Sequence, residues 1–184
     1  MVAILHEGKD DKKYIKRVLE FLNIENYSND TFYEMNNKSN FFKTNHINYR
    51  TLKQKIENDE ITKVLFILDA DYKTDSVYGG VSNTTTELEK IISELGFFNN
   101  YEIYVVCEPG TAEGYFETLF LSCVSDELKE CYQKFIECTG FTGKEPTKTI
   151  MTKLHELSSP EKPYSFEHAN FKPLKDTLTN LFNT

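Results

Sequence analysis

Apolar and polar positions fall into two kinds of segment along the chain. Short runs that are apolar throughout are typical of strands buried on both faces of a parallel sheet. Segments with apolar residues three or four positions apart are typical of helices. The first pattern predicts strands at Val2–Leu5, Lys63–Leu68 and Tyr101–Cys107, and a less regular strand at Thr31–Met35.

Helical spacing follows each of these strands. It predicts a helix over about Asp10–Leu22 and a second that ends near Asp59. A third helix is expected to begin at a capping box formed by Thr84 and Glu87 and to end at Gly96. After the last strand only helices are predicted, and they cover Ala112–Val124, Asp126–Cys138, Thr147–Leu157 and Phe171–Phe182.

The alternation of strands and helices predicts the fold class. Strand–helix–strand units join parallel strands through right-handed crossovers, so we expect an α/β fold. Its Rossmann-like, mostly parallel sheet is flanked by helices, and its C-terminal third is helical. The 184 residues suit one domain, with a core over about 1–122 and a helical extension over about 123–184. Residues 72–83 contain two adjacent glycines and are expected to form a mobile loop.

Composition and charge narrow the classes of function. The formal net charge of −8 argues against non-specific coating of nucleic acid, because that needs a broad basic surface. The four cysteines show no metal-ligand spacing, so zinc is not expected and the thiols are predicted to be reduced and mostly buried. No apolar run approaches the ~20 residues of a membrane span, and no basic-then-apolar leader opens the sequence. These features predict a cytoplasmic protein without a membrane segment.

Acidic residues stand where two predicted strands end. Glu7 follows the first strand and precedes Gly8, which allows a sharp turn, and Asp69 and Asp71 follow the strand at Lys63–Leu68. The carboxyl ends of parallel strands form the ligand crevice of open α/β sheets, and residues i and i+2 of an extended chain point the same way. We therefore expect three carboxylates to converge on Mg²⁺ or Mn²⁺, the cations that all-oxygen ligands favour. Such an ion can position a phosphate and generate a hydroxide nucleophile.

Each acidic motif also has a purely structural interpretation. Asp and Gly are ordinary turn residues at strand ends, and an Asp-x-Asp pair alone is weak evidence for a metal site. Here the two motifs occur in one chain, in this order, and both at the ends of apolar strands. Their combination favours the metal site.

The two motifs together resemble the Toprim domain, which is shared by topoisomerases, bacterial primases, OLD-type nucleases and small ribonucleases that mature ribosomal RNA. The resemblance is carried by residues 5–12, Leu-His-Glu-Gly-Lys-Asp-Asp-Lys, and by residues 68–71, Leu-Asp-Ala-Asp. It implies a compact Rossmann-like sheet, with Glu7 as the general acid/base or metal-linked glutamate. It also implies Asp69 and Asp71 as Mg²⁺ ligands.

The chain is more similar still to small, stand-alone bacterial Toprim-like proteins related to the OLD type. These carry a Gly-x-x-Glu helix after the last strand, here Gly114-Tyr115-Phe116-Glu117, and continue into a helical tail that contains Cys. The resemblance implies Glu117 as a further carboxylate of the cation site. Glu113 is an alternative, because it lies one helical turn before Glu117 and would share its face of the predicted helix.

The densest group of basic residues lies beside Glu7. Lys9 sits in the turn before the first predicted helix, where it is a candidate phosphate contact. Two lysines of the tail, Lys148 and Lys153, would reach substrate phosphates if the tail folds over the site. The other basic residues near Glu7 are expected to form the exposed face of an amphipathic helix, and they are Lys12, Lys13, Lys16 and Arg17.

Three functions are compatible with these residues. The first is a Mg²⁺-dependent Toprim nuclease or phosphodiesterase that acts on DNA or RNA. The second is a catalytically silent or partner-dependent module that works with a companion ATPase, since the sequence contains no P-loop. The third is a phosphatase with Asp69 as covalent nucleophile and Asp71 as acid/base, in which Glu7 has no role.

Overall fold

The computed structural model describes residues 1–141, 144–159 and 165–183. Within these ranges the centre of the protein is a parallel sheet with the strand order β2-β1-β3-β4. The strands are β1 (Val2–His6), β2 (Phe32–Glu34), β3 (Lys63–Asp69) and β4 (Tyr101–Val106). The predicted α/β class, with a Rossmann-like parallel sheet flanked by helices, is confirmed.

Helices cover both faces of the sheet. In the described ranges they are α1 (Lys9–Phe21), α2 (Ile47–Glu57), α3 (Val81–Leu95), α4 (Phe116–Ser122), α5 (Asp126–Thr139), α6 (Lys144–Ser158) and α7 (Lys172–Phe182). Short 3₁₀ turns lie at Asn29–Thr31, Lys38–Phe42 and Ala169–Phe171. Within the same ranges no strand follows β4, which confirms the helical C-terminal third, and no helix there is long and apolar enough to cross a membrane.

Alternate residues of the two central strands supply two apolar cores, one on each face of the sheet. Ile4 and Leu65 pack with apolar residues of α1, α4 and α7. Leu5 and Phe66 pack with apolar residues of α2 and α3. All four side chains are fully buried, because a strand that is covered on both faces has no solvent side. This explains why β1 and β3 are apolar at successive positions.

The strand order creates a switch point between β1 and β3. After β1 the chain forms β2 on one side of β1 and then β3 on its other side. Ligands of open α/β sheets bind at such a point, outside the carboxyl ends of the strands. In the pairing of these two strands, Ala3 lies opposite Val64 and Leu5 lies opposite Phe66. The residues that follow β1 therefore meet the end of β3 at one edge of the sheet.

The predicted strands and most predicted helices are present, with ends displaced by one to three residues. The capping box at Thr84 is wrong, because α3 already begins at Val81. Thr84 is buried inside the helix and donates its hydroxyl hydrogen to the Tyr78 carbonyl oxygen at 2.6 Å. The predicted end at Gly96 is confirmed, since Gly96 takes the left-handed conformation, with φ 68°, that ends many helices.

The start of α4 is also displaced from its prediction. The helix begins at Phe116 rather than Ala112, because the backbone is left-handed at Ala112 (φ 58°) and at Gly114 (φ 116°). A Cβ atom on Gly114 would lie 2.5 Å from Thr118 Oγ1, so this turn needs glycine both for its φ and for its space. Glu113 consequently lies outside the helix, and the prediction that it shares a helical face with Glu117 is wrong.

The cysteines are less buried than predicted. All four are free, and Cys107 and Cys123 are half-buried. Cys131 and Cys138 are exposed. Both lie on α5, where Tyr132 is the buried residue, so most of that helix faces solvent.

Candidate metal-binding site

Glu7 lies against the end of β3. Its Oε1 atom accepts a hydrogen bond from the Asp69 backbone N–H at 3.0 Å. The turn that carries Glu7 is held on both sides: His6 Nδ1 lies 2.9 Å from the Gly8 carbonyl oxygen, and the Gly8 N–H donates to Asp11 Oδ2 at 2.8 Å. Burial, reinforced by the Asp11 carboxylate, raises the pKa of Glu7 to about 7. The predicted approach of Glu7 to Asp69 is therefore present.

Asp69 is the last residue of β3 and is only 8% exposed. Its Oδ1 atom accepts a hydrogen bond from the backbone N–H of Phe116, the first residue of α4, at 3.0 Å. Burial, followed by the nearby Glu7 and Asp11 carboxylates, raises the pKa of Asp69 well above its ordinary value. The hydrogen bond fixes the direction of the side chain, but it does not offset the loss of water and the neighbouring negative charges.

Glu117 projects from the first turn of α4 and is 7% exposed. The Tyr14 hydroxyl donates to Glu117 Oε1 at 3.2 Å and lies 3.1 Å from the Thr152 hydroxyl, which links α1, α4 and α6. Glu117 Oε2 makes no hydrogen bond within the described residues. The Lys148 ammonium lies 3.4 Å from that oxygen as an ion-pair contact.

Asp11 belongs to the same cluster, although the sequence did not single it out. Burial raises the pKa of Asp11 to about 6, and the Glu117 carboxylate adds to the rise while Lys148 opposes it. The available signal was its position four residues after Glu7, at the start of α1. There its carboxylate caps the Gly8 N–H and faces the same crevice as Glu7 and Asp69.

Asp71 does not follow the predicted arrangement. The strand ends at Asp69, and Asp71 has a left-handed backbone with φ 55°, so the rule for extended chains does not apply to the pair. Asp71 Oδ2 lies 3.3 Å from Lys38 Nζ, and Lys38 also donates to the Ala70 carbonyl oxygen at 2.7 Å. Asp71 still raises the pKa of Glu7. It therefore lies at the border of the cluster and is held there by an ion pair.

Lys38 is a functional candidate that sequence reasoning missed. Its side chain is buried, in the 3₁₀ turn Lys38–Phe42. That turn lies in an Asn-rich segment with no clear hydrophobic period. No local pattern could have shown that this lysine reaches across to β3.

The tail folds over the carboxylates through α6. Lys148 Nζ lies 3.4 Å from Glu117 Oε2, 3.9 Å from Asp69 Oδ2 and 4.3 Å from the centre of the Tyr115 ring. The last contact has the geometry of a cation–π interaction. A single ammonium group thus serves two buried carboxylates.

A cleft of about 270 Å³ opens between α1 and α6 beside Glu117 and Lys148. Glu156 on α6 lies on its wall and pairs with Arg17 at 2.6 Å, with Lys153 at 3.4 Å and with Lys13 at 3.9 Å. The contacts of Glu156 with Arg17 and Lys13 tie α6 to α1, whereas its contact with Lys153 lies within α6. Part of the basic strip predicted as a solvated helix face therefore holds the tail in place.

Two predicted candidates have other surroundings. Lys9 is the exposed first residue of α1, and its role as a phosphate contact stays a prediction. Glu113 accepts the Lys73 backbone N–H at 3.1 Å and pairs with its ammonium at 3.5 Å. Glu113 thus anchors the loop after β3 and does not complete the carboxylate cluster.

The carboxylate cluster, defined as Glu7, Asp11, Asp69 and Glu117, suits a divalent cation in chemistry but not in its present spacing. All of its donors are oxygens, which Mg²⁺ and Mn²⁺ prefer, and one oxygen of Glu117 receives no hydrogen bond from the residues that the structure describes. Over the part of the chain that the structure describes, no three His, Cys, Asp or Glu side chains are placed to hold a metal ion. In this conformation the positive charge beside Asp69 and Glu117 is that of Lys148.

A comparison with family models places the chain among known sequences. The model described as "Protein of unknown function (DUF3226)" matches residues 2–156. The chain belongs to the DUF3226 family. The matched region contains the whole sheet, the carboxylate cluster and Lys148. No curated protein and no solved structure was found to match the chain.

Proposed function

We propose that the chain is a Mg²⁺- or Mn²⁺-dependent phosphodiesterase of the Toprim type that cleaves DNA or RNA. The observation that carries the proposal is the group of buried carboxylates at the switch point between β1 and β3, where burial and mutual repulsion raise the pKa values of Glu7, Asp11 and Asp69. A bound divalent ion removes that repulsion. Glu7, Asp69 and Glu117 are the side chains that would hold the ion, which when bound supplies a Lewis acid and an activated water.

The neighbouring residues suit distinct tasks in this proposal. Glu7 would serve either as the general acid/base or as a ligand of the ion: its pKa of about 7 in the metal-free protein suits the first role, and direct contact with the ion would lower that pKa. The Phe116 N–H keeps one oxygen of Asp69 directed toward α4, so the other remains available to a cation. Lys38 holds Asp71 beside the cluster. Lys9, exposed at the start of α1, is the proposed phosphate contact.

The cleft between α1 and α6 is the proposed approach for the substrate. It adjoins Glu117 and is lined by three lysines, namely Lys13, Lys148 and Lys153. Three acids, Asp10, Glu117 and Glu156, line it as well, so these lysines would contact a polyanionic substrate only by giving up their carboxylate partners. We place the activity in the cytoplasm, where free thiols stay reduced.

A cleavage assay tests the proposal. The full-length chain is incubated with end-labelled single- and double-stranded DNA and RNA, with Mg²⁺, Mn²⁺ or EDTA. We expect metal-dependent cleavage, and a loss of about 100-fold or more in Asp69→Asn and Glu7→Gln. Glu113→Gln is the matched control, because Glu113 is acidic and close in sequence but pairs with Lys73. Equal cleavage by wild type and Asp69→Asn would refute the assignment.

A partner-dependent module, working with a companion ATPase, is the second candidate. It is favoured by the position of Lys148, which compensates the carboxylates without a metal ion. In this case the isolated chain cleaves nothing, and it co-purifies stably with a neighbouring ATPase whose addition starts cleavage. Robust metal-dependent cleavage by the isolated chain excludes this candidate.

A further inference from the structure

The Lys148 ammonium lies beside two buried carboxylates of the cluster. It lies within 4 Å of one oxygen of Asp69 and one oxygen of Glu117, and its side chain is only 19% exposed. Glu117 Oε2 makes no hydrogen bond in the described residues, so its close contact with Lys148 is one of charge rather than of directed bonding. An ion pair of this kind lacks the fixed geometry that makes a buried pair hard to replace.

A divalent ion and this ammonium compete for the same oxygens. A metal ion that binds Asp69 and Glu117 must come into direct contact with their carboxylate oxygens. An ammonium group already a few ångströms from those oxygens would then lie beside the ion, where two positive charges repel strongly in a partly buried site. The repulsion therefore opposes occupation of these oxygens by both at once.

Lys148 has space to leave the carboxylates while α6 stays in place. The side chain also lines the cleft of about 270 Å³ between α1 and α6, which is wider than an ammonium group requires. The stem of a lysine contains four flexible carbons, so a change of rotamer moves the charge by several ångströms. The ion pair between Arg17 and Glu156 can meanwhile hold α6 against α1.

We propose that Lys148 is a built-in competitor that determines which cations the carboxylate cluster accepts. A monovalent ion offers no more charge than the ammonium and does not displace it. A divalent ion displaces Lys148 into the cleft, and the affinity for that ion is lowered by the cost of the displacement. The inference rests on the proposed function, because it requires the cluster to bind a divalent ion.

Calorimetric titration with Mn²⁺ tests this inference without relying on activity. We expect Lys148→Met to bind Mn²⁺ about ten-fold more tightly than wild type, and Lys148→Arg, which keeps the charge, to bind no more tightly than wild type. Lys153→Met is the matched control, because Lys153 lies on the same helix but pairs with Glu156 and is mostly exposed. Its Mn²⁺ affinity is expected to match that of wild type.

A second measurement uses wild-type protein alone and so does not depend on the folding of a variant. Mass spectrometry follows the rate at which each lysine is acetylated by a small reagent, with and without Mn²⁺. We expect Mn²⁺ to raise the rate at Lys148, because the side chain moves into the open cleft, and to leave the buried Lys38 unchanged.

The outcomes separate this inference from the proposed function. If wild type binds Mn²⁺ while Lys148→Met binds it equally or more weakly, the competition is refuted and the metal site stands. If Lys148 reacts no faster in Mn²⁺-bound wild type, the displacement is refuted as well. If neither wild type nor Lys148→Met binds Mn²⁺, the metal site itself is refuted and the inference falls with it.

Discussion

Two lysines compensate carboxylates at the end of β3, and they do so in different ways. Lys38 pairs with Asp71 at 3.3 Å and also donates to the Ala70 carbonyl oxygen at 2.7 Å, so it satisfies a backbone group as well as a charge. Lys148 lies near Asp69 and Glu117 at 3.9 and 3.4 Å, and its side chain borders an open cleft. The first contact is built into the core, whereas the second can be exchanged.

The difference shows how one edge of a sheet can be both rigid and open to a ligand. A buried lysine with a carbonyl and a carboxylate as partners fixes the loop in which it takes part, because removing it takes a buried positive charge from Asp71 and one hydrogen-bond donor from the Ala70 carbonyl oxygen. A lysine that meets two carboxylates of a larger acidic cluster supplies them with positive charge, which a metal ion or added protons can replace. Each contact therefore makes its own prediction.

The largest effect is expected from Lys38→Met. The substitution leaves Asp71 and the Ala70 carbonyl oxygen without this partner and should lower the free energy of unfolding by about 3 kcal/mol. Urea denaturation with and without Mn²⁺ measures it, and we expect no recovery in Mn²⁺. Lys43→Met is the control, because Lys43 is exposed and its ammonium group donates to the nearby Asn40 side chain. If Mn²⁺ restored the stability that Lys38→Met loses, the distinction between the two lysines would be removed.

Lys148→Met is expected to have a smaller effect on stability, and a reversible one. Without the ammonium, the carboxylates repel one another and take up protons instead, so we expect a loss of about 1–2 kcal/mol in the free energy of unfolding at neutral pH. Saturating Mn²⁺ should restore stability, since a ligand that binds only the folded state stabilises it. The same urea titration measures both values, with Lys153→Met for comparison. A loss that persists in Mn²⁺ would assign Lys148 a fixed structural role like that of Lys38.

Glu7→Gln is expected to change the pH dependence of stability. The folded pKa of Glu7 is about 7, above its ordinary value of 4.5, so between these values the folded state keeps a proton that the unfolded state has lost. In metal-free protein this group therefore lowers stability progressively as pH rises from about 4.5 to 7. Gln has no such titration, so the stability of the variant relative to wild type should rise across this window and then level off.

Two histidines also change the stability of the wild-type protein with pH, so the effect of Glu7 must be measured as the difference between wild type and Glu7→Gln. Burial lowers the pKa values of His6 and His155 to about 4, so these groups favour the folded state increasingly as pH rises from about 4 to 6.5. Their effect opposes that of Glu7 but is present in both proteins. The difference between the two unfolding curves removes the histidines and reports Glu7 together with Asp11 and Asp69, the carboxylates coupled to it, and a difference that stays flat with pH would contradict the raised pKa of Glu7.

The sheet and the meeting of Glu7 with Asp69 could be predicted from the sequence because both follow from local patterns. Apolar runs identify strands that are buried on both faces, and a residue just past such a strand must lie at the carboxyl edge of the sheet. The approach of Glu7 to Asp69 needed only these two steps. The pairing of β1 with β3 then brings Glu7 Oε1 to 3.0 Å from the Asp69 backbone nitrogen.

The remaining features depend on backbone turns and on contacts between distant segments. Asp71 turns away because its φ is positive, and Glu113 lies outside α4 because left-handed residues precede that helix. The spacing of acidic residues cannot reveal either turn. Lys38 and Lys148 are separated from β3 by long stretches of chain. Their positions follow from how a 3₁₀ turn and a tail helix pack, which no local period encodes.

The most direct measurement is an anomalous difference map from crystals of the wild-type protein soaked in Mn²⁺. A peak in contact with the Asp69 and Glu117 carboxylates is predicted, with the Lys148 side chain moved into the cleft between α1 and α6. A soaked crystal with no peak at these carboxylates, and with Lys148 still beside them, would contradict a divalent metal site at this edge of the sheet.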